Sequence, residues 1–199
     1  MFHGTITALV TPFRADGALD EVGLRALIAR QVRAGVDAVV PCGTTGEAPT
    51  LSEAERARVV AIAVEACAGS PTRVLAGTGS NDTARTITTT RAAQDAGADG
   101  ALIVTPCYNK PTQDGLYAHY RAVVEASPDF PVVLYNVPSR TGVNLNVDTA
   151  LRIAPLPNVV GLKEASGDLV QVMEIIRRAP EGFEILSGDD ALTLPMLAL

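Results

Sequence analysis

Short apolar runs recur along the chain at near-regular intervals: TITALVT (5–11), VDAVVPC (36–42), RVLAGTG (73–79), GALIVTP (100–106), PVVLYNV (131–137), VVGLKEA (159–165) and FEILSG (183–188). Their apolar character is nearly continuous and does not alternate, which predicts strands buried on both faces, as in a parallel sheet. Between them the period becomes helical. In LDEVGLRALIARQVRAG (19–35), apolar residues fall at Val22, Leu24, Leu27, Ile28 and Val32, with charges on the other side. SEAERARVVAIAVEACAG (52–69) opens with Ser52 and Glu55 in capping-box spacing and closes at Gly69. TARTITTTRAAQDAGAD (83–99) and TQDGLYAHYRAVVEAS (112–127) behave in the same way. Two joints, RAGVDAVVP (33–41) and DAGADGALIVTP (95–106), each place a Gly at a helix end with the next strand close behind.

The chain is therefore a strand–helix unit of roughly 25–30 residues, repeated without a linker or low-complexity tract, and reads as one domain over 1–199. An open doubly wound sheet and a (β/α)8 barrel both fit this pattern. The dinucleotide fingerprint is missing, because AGTGSND (76–82) has Gly77 and Gly79 but Asp82 where a third Gly belongs. No Gly loop is followed by GK[ST], which excludes a P-loop. The strands end in polar residues at their C-termini, where barrels place their chemistry, and this favours the TIM barrel. Only seven strands are found, and the chain stops at ALTLPMLAL inside the seventh helix. A full barrel takes about 250 residues, so the expected fold is an incomplete barrel, truncated after strand seven.

Composition narrows the function. A net charge of −6, a pI near 4.9, 4% aromatics and no Trp argue against a nucleic-acid partner. Three cysteines, Cys42, Cys67 and Cys107, form no CxxC pair and read as free thiols in a reducing compartment, with no zinc site. MFHGTITALVTPF lacks the features of a signal peptide and no run suits a membrane span, so the expected location is the cytoplasm.

The strand ends carry the candidate chemistry. GTTGE (43–47) follows the second strand: its glycines and Thr44 and Thr45 suit an anion cradle, or equally a turn that caps the next helix. Tyr108 lies in TPCYNKPTQDG (105–115) and fits either a site or simple packing of its ring. LYNVPSRTG (134–142) supplies Tyr135 and Arg140, the latter able to bind a carboxylate or to form a surface ion pair. In VVGLKEASGD (159–168), Lys163 ends an apolar run. Of the 16 basic residues 14 are Arg, and only Lys110 and Lys163 are Lys. A lysine chosen at a buried-looking position suggests a group that must shed its proton, which Arg cannot do. The alternative is a lysine that snorkels or pairs with Glu164, although neighbours on a strand point to opposite faces. Tyr135 and Lys163 stand 28 residues apart, one repeat, which predicts equivalent positions on adjacent strands. His3 and His119 lack metal-ligand spacing, Asp189 and Asp190 suit a helix N-terminus, and Cys42 and Cys107 lack a His nearby in sequence.

Taken together, GTTGE, YNVPSRTG, GLKEASGD and LSGDD, in this order and spacing, resemble the pyruvate-dependent class I aldolase/lyase superfamily and, within it, the dihydrodipicolinate synthase family. The resemblance implies an enzyme that condenses pyruvate with L-aspartate 4-semialdehyde to 4-hydroxy-tetrahydrodipicolinate, in lysine (diaminopimelate) biosynthesis. It implies that Lys163 forms the Schiff base, with no metal or organic cofactor. Tyr135 would relay protons, completed by Thr45 and by Tyr108 from a neighbouring subunit. Thr44 and Thr45 would hold the pyruvate carboxylate, Gly188 would line the pocket, and Arg140 would bind the second substrate. A homotetramer built as a dimer of dimers is also implied. Sugar-acid and sialic-acid lyases of the same superfamily share the Lys and Tyr and remain an alternative, as does an inactive truncated remnant. Lysine-inhibited members tend to carry His, Glu and Tyr where this chain has Glu53, Arg85 and Cys107, while Asn81 is retained, so weak lysine sensitivity is expected.

Overall fold

The computed structural model describes residues 2–199. Its strands are β1 (Ile6–Ala8), β2 (Ala38–Val40), β3 (Arg73–Gly77), β4 (Gly100–Val104), β5 (Val132–Asn136), β6 (Val159–Glu164) and β7 (Glu184–Ser187). The helices are α1 (Glu21–Arg33), α2 (Glu53–Cys67), α3 (Thr83–Asp95), α4 (Gln113–Ala126), α5 (Pro138–Thr141), α6 (Val147–Ile153), α7 (Leu169–Arg178) and α8 (Thr193–Leu197), with 3-10 turns at Ala48–Thr50 and Asp190–Leu192. The strands follow one another in sequence order, β1-β2-β3-β4-β5-β6-β7. That order excludes the doubly wound sheet, in which the strand order reverses at a switch point. It is the order of a (β/α) barrel, with seven of the eight strands.

Two compact units divide the described residues. One comprises 2–78 and 90–102, the other 79–89 and 103–199. In the first, β1, β2, β3 and the start of β4 pair in parallel, with Ile6 opposite Ala38, Ala38 opposite Arg73 and Leu75 opposite Gly100. Its helices start and stop as the sequence specifies. The Asp20 carboxylate accepts from Gly23 N–H at the head of α1, and Ser52 and Glu55 close a full capping box at the head of α2. Gly35 follows the C-terminus of α1 at φ +72°, a left-handed turn that L side chains rarely adopt. Leu24, Ile28, Val39, Val59, Ile62 and Leu75 are fully buried, each contributing about 1.5–3 kcal/mol of apolar burial. Val22 departs from the pattern: it is 79% exposed, because Leu24 and Ile28 set the inward face of α1 and Val22 lies well round the helix from Leu24.

In the second unit β5 pairs with β6 and β6 with β7, both in parallel, while Thr105 N–H donates to Tyr135 C=O beyond β4. Ile103, Leu116, Tyr120, Leu134, Leu145, Ile153 and Leu162 form its buried core. The Tyr120 hydroxyl donates to the buried carbonyl of Ile103, so the one polar atom of that ring is satisfied. On α4, His119 is 5% exposed, its Nδ1 is 2.9 Å from Thr83 Oγ1, and its Nε2 has no partner among the described residues.

Burial pushes the His119 pKa down to about 4. Between that value and the unfolded-state value near 6.5, the unfolded chain binds a proton that the folded chain refuses. Stability is therefore lost as pH falls from about 6.5 to about 4, by up to roughly 3 kcal/mol. Thermal melts at stepped pH are expected to show this acid limb in the unmodified protein. The limb should flatten in His119→Gln, and an unchanged limb there would contradict the assignment.

Candidate active site

Tyr135 and Lys163 are direct register partners across the β5–β6 ladder. Their side chains leave the same face, and Lys163 Nζ lies 4.4 Å from the Tyr135 ring centroid. The one-repeat offset read from the sequence is thus a spatial pairing. Tyr135 is 8% exposed and Lys163 is half-buried. Burial draws the Lys163 pKa below its ordinary value; nearby Asp190 pushes it back up, and Arg140 adds to the lowering. Burial raises the Tyr135 pKa, and Arg140 offsets part of that rise. The ring face favours the ammonium form, but desolvation acts most strongly on Lys163 and moves it toward the neutral amine.

The next pair in register, Asn136 and Glu164, faces the opposite way. Glu164 is 1% exposed and accepts hydrogen bonds from Asn136 Nδ2, Gln171 Nε2 and Ser166 N. The pairing of Lys163 with Glu164 considered above is therefore absent, as strand alternation requires.

β7 brings up Gly188. Its N–H donates to Glu164 C=O at 2.7 Å. A Cβ there would sit 2.9 Å from Lys163 Cε and 3.0 Å from Ala165 Cβ, so glycine leaves the space that the lysine stem occupies. Beyond it, Asp189 caps the turn Asp190–Leu192 by accepting from Ala191 N–H, the capping role read from the sequence. Its neighbour Asp190 is not the cap; its negative charge offsets part of the lowering of the Lys163 pKa. Sequence reasoning missed it because a pair of aspartates before a helix is fully explained by capping.

After β5 the chain turns into the short helix α5, closed by Gly142 at φ +76°. Arg140 is exposed on this helix and forms no ion pair among the described residues, so the surface salt bridge is not found. Tyr108 is 86% exposed, which rules out the packing role for its ring. Its backbone is left-handed at φ +68° and its N–H donates to Thr141 C=O. Its hydroxyl makes no hydrogen bond among the described residues. Asn109 of the same loop is clasped to Asn81 by two hydrogen bonds.

Thr44 and Thr45 belong to the other unit. Both are exposed, in a run of turns closed by Gly46 N–H to Gly43 C=O and Glu47 N–H to Thr44 C=O. The loop is pinned from two sides: Thr11 Oγ1 donates to Gly46 C=O, and a Cβ on Gly77 would collide with Cys42 C=O. The Thr44 and Thr45 N–H groups donate to no acceptor among the described residues, which leaves them open to an anion. Cys42, buried and with its thiol pushed up to about 11 by desolvation, is not a nucleophile.

Among the described residues no helix is long and apolar enough to cross a membrane, and no group of three or more His, Cys, Asp or Glu is placed so that it could hold a metal ion. Residues 1–199 match the model of the dihydrodipicolinate synthetase family. The 4-hydroxy-tetrahydrodipicolinate synthase of Syntrophus aciditrophicus is 52% identical over 199 residues, covering all of this chain and 67% of that protein. That of Methanothrix thermoacetophila is 54% identical over 200 residues, covering all of this chain and 66% of that one. The crystal structure of dihydrodipicolinate synthase from Aquifex aeolicus superposes with a TM-score of 0.95 at 47% identity, covering 99% of this chain and 67% of that one. The chain thus spans about two thirds of the length of these relatives. A family match along the whole chain and shared sequence order and fold all agree: the chain belongs to the dihydrodipicolinate synthetase family.

Proposed function

We propose that this chain carries the site of a 4-hydroxy-tetrahydrodipicolinate synthase, a lyase that condenses pyruvate with L-aspartate 4-semialdehyde on the route to lysine. The observation that carries the reading is the Lys163–Tyr135 pair, with the amine partly desolvated and 4.4 Å from the ring centroid. Neutral Nζ attacks the keto carbon of pyruvate, and loss of water leaves an iminium on Lys163. The iminium is an electron sink, so the pyruvate methyl gives up a proton and the resulting enamine carbon attacks the aldehyde. The Tyr135 hydroxyl moves protons during these steps. No organic cofactor or metal is needed for this chemistry.

The resemblance to the family assigns Thr44 and Thr45 to the pyruvate carboxylate and Thr45 to the hydroxyl relay, and the N–H groups of both meet no acceptor among the described residues. Arg140, exposed and without an ion-pair partner among the described residues, binds the carboxylate of the second substrate. Gly188 keeps the space around Lys163 open. Tyr108 projects from its clasped loop, as a group completing the relay of a neighbouring subunit in a homotetramer must do. The enzyme works in the cytoplasm. Mixing the protein with pyruvate and either L-aspartate 4-semialdehyde or a polyhydroxylated aldehyde tests the reading. Consumption of pyruvate with the semialdehyde alone is expected, and preference for the polyhydroxylated aldehyde would assign a sugar-acid lyase instead.

The lysine response is a separate matter. Dihydrodipicolinate synthase of Cyanidioschyzon merolae, 46% identical with a TM-score of 0.97, has been crystallised with lysine bound. In this chain Glu53, Arg85 and Cys107 replace the His, Glu and Tyr that lysine-inhibited members tend to carry. Initial rates are expected to stay nearly flat up to millimolar lysine. Strong inhibition at sub-millimolar lysine would contradict this.

A further inference from the structure

We propose that Glu164 is the positioning residue for Lys163: its buried carboxylate, gripped by Asn136, Ser166 and Gln171, locks the end of β6 so that the amine stays over Tyr135. The inference rests on the reading of Lys163 as the imine-forming lysine. Two cross-strand pairs stand back to back on β5 and β6: Tyr135 with Lys163 on one face, Asn136 with Glu164 on the other. Whatever fixes the second pair fixes the backbone that aims the first.

The second pair is fixed tightly. Asn136 Nδ2 donates to both Glu164 oxygens at 3.2 and 3.1 Å, Ser166 N–H donates to Oε1 at 2.6 Å, and Gln171 Nε2 donates to Oε2 at 3.1 Å. An ionised carboxylate only accepts, and here it meets only donors. Neither amide can rotate to relieve a change at Glu164. Asn136 Oδ1 is held by Leu145 N–H at 3.0 Å, and Gln171 Oε1 by Asn144 Nδ2 at 2.8 Å. Asn136 Nδ2 also reaches Asn144 Oδ1, and Gln113 Nε2 reaches Asn144 C=O. The network therefore ties β5, β6, α7, α4 and the segment just after Arg140 into one rigid body. Glu164 C=O adds the bond from Gly188 N–H, which sets the wall along the lysine stem.

No cation balances Glu164 within ion-pair reach among the described residues. A buried carboxylate held only by neutral donors costs desolvation that an apolar residue would avoid. What the carboxylate supplies against that cost, in this proposal, is the geometry it imposes beside Lys163.

The charged and titratable groups facing Lys163 are Tyr135 from β5, Arg140 from α5 and Asp190 from the turn after β7. Glu164 lies behind its own strand. If Glu164 acted on Lys163 by its charge, removing that charge would lower the Lys163 pKa. If it acts by holding the strand end, loosening the network admits water and raises the pKa toward the ordinary lysine value. Reductive 13C-methylation marks Lys110, Lys163 and the amino terminus, so the Lys163 titration is readable by NMR in the whole protein.

Glu164→Gln, which sets an amide N–H2 among donors, is expected to raise the Lys163 pKa and to slow borohydride-trappable imine formation with pyruvate on the order of tenfold. Gln171→Met removes one donor without changing any charge and serves if Glu164→Gln does not fold. It should shift the titration in the same direction by less. An unchanged or lowered Lys163 pKa in the folded variants overturns the proposal. Absence of imine in the unmodified protein would instead overturn the functional reading, while the titration would still judge Glu164.

Discussion

Lys163→Arg is expected to reduce the condensation rate by on the order of 10³-fold or more while leaving the fold intact. Arg keeps the positive charge and a similar stem, so the Tyr135 ring and the Asp190 carboxylate still face a cation. What it cannot do is lose a proton, and a guanidinium is no nucleophile toward a ketone at neutral pH. The substitution therefore separates charge from nucleophilicity. The same logic sets the sign of the pH dependence. Because burial lowers the Lys163 pKa, the neutral fraction at neutral pH exceeds that of an ordinary lysine, and imine formation falls as pH falls. Stopped-time assays with pyruvate and the semialdehyde, with circular dichroism of both proteins, measure the effect. Appreciable turnover by folded Lys163→Arg would remove the imine from the mechanism.

Tyr135→Phe is expected to cost roughly 10²-fold in kcat, with a smaller effect on the KM for pyruvate. The ring remains, so packing against Lys163 and the 8% exposure of residue 135 change little. Only the hydroxyl is lost, and with it a proton carrier for carbinolamine dehydration and enamine formation. Burial raises the pKa of this hydroxyl, with Arg140 working against the rise. In the proposed mechanism Tyr135 thus enters as the protonated hydroxyl that passes its proton on, and not as a standing phenolate. Loss confined to KM would assign Tyr135 to binding alone.

Much of this was legible in the sequence because it is periodic. Continuous apolar runs mark parallel strands, and the spacing of Tyr135 and Lys163 by one repeat corresponds to their register pairing. The capping box at Ser52 and the glycine after α1 are local signals and appear where they are expected. Position within a turn of helix is less legible, as the exposed Val22 demonstrates. So is anything set by contact across elements. The fixed amides around Glu164 join residues up to 28 apart, and nothing in Asn136 or Gln171 by itself marks them as partners. Asp190 was hidden for another reason: a sufficient local explanation, the helix N-terminus, concealed its electrostatic effect on Lys163. Arg140 and Tyr108 each left two readings open, and exposure decided against packing for Tyr108.

The central claim is that Lys163 forms a covalent imine with pyruvate. Borohydride reduction of the protein in the presence of pyruvate, followed by peptide mass mapping, tests it most directly. Only Lys110 and Lys163 offer a side-chain amine. One reduced pyruvate adduct on the peptide containing Lys163, with none on that containing Lys110, is the predicted result. Folded protein without an adduct, or with equal labelling of both lysines, would contradict it.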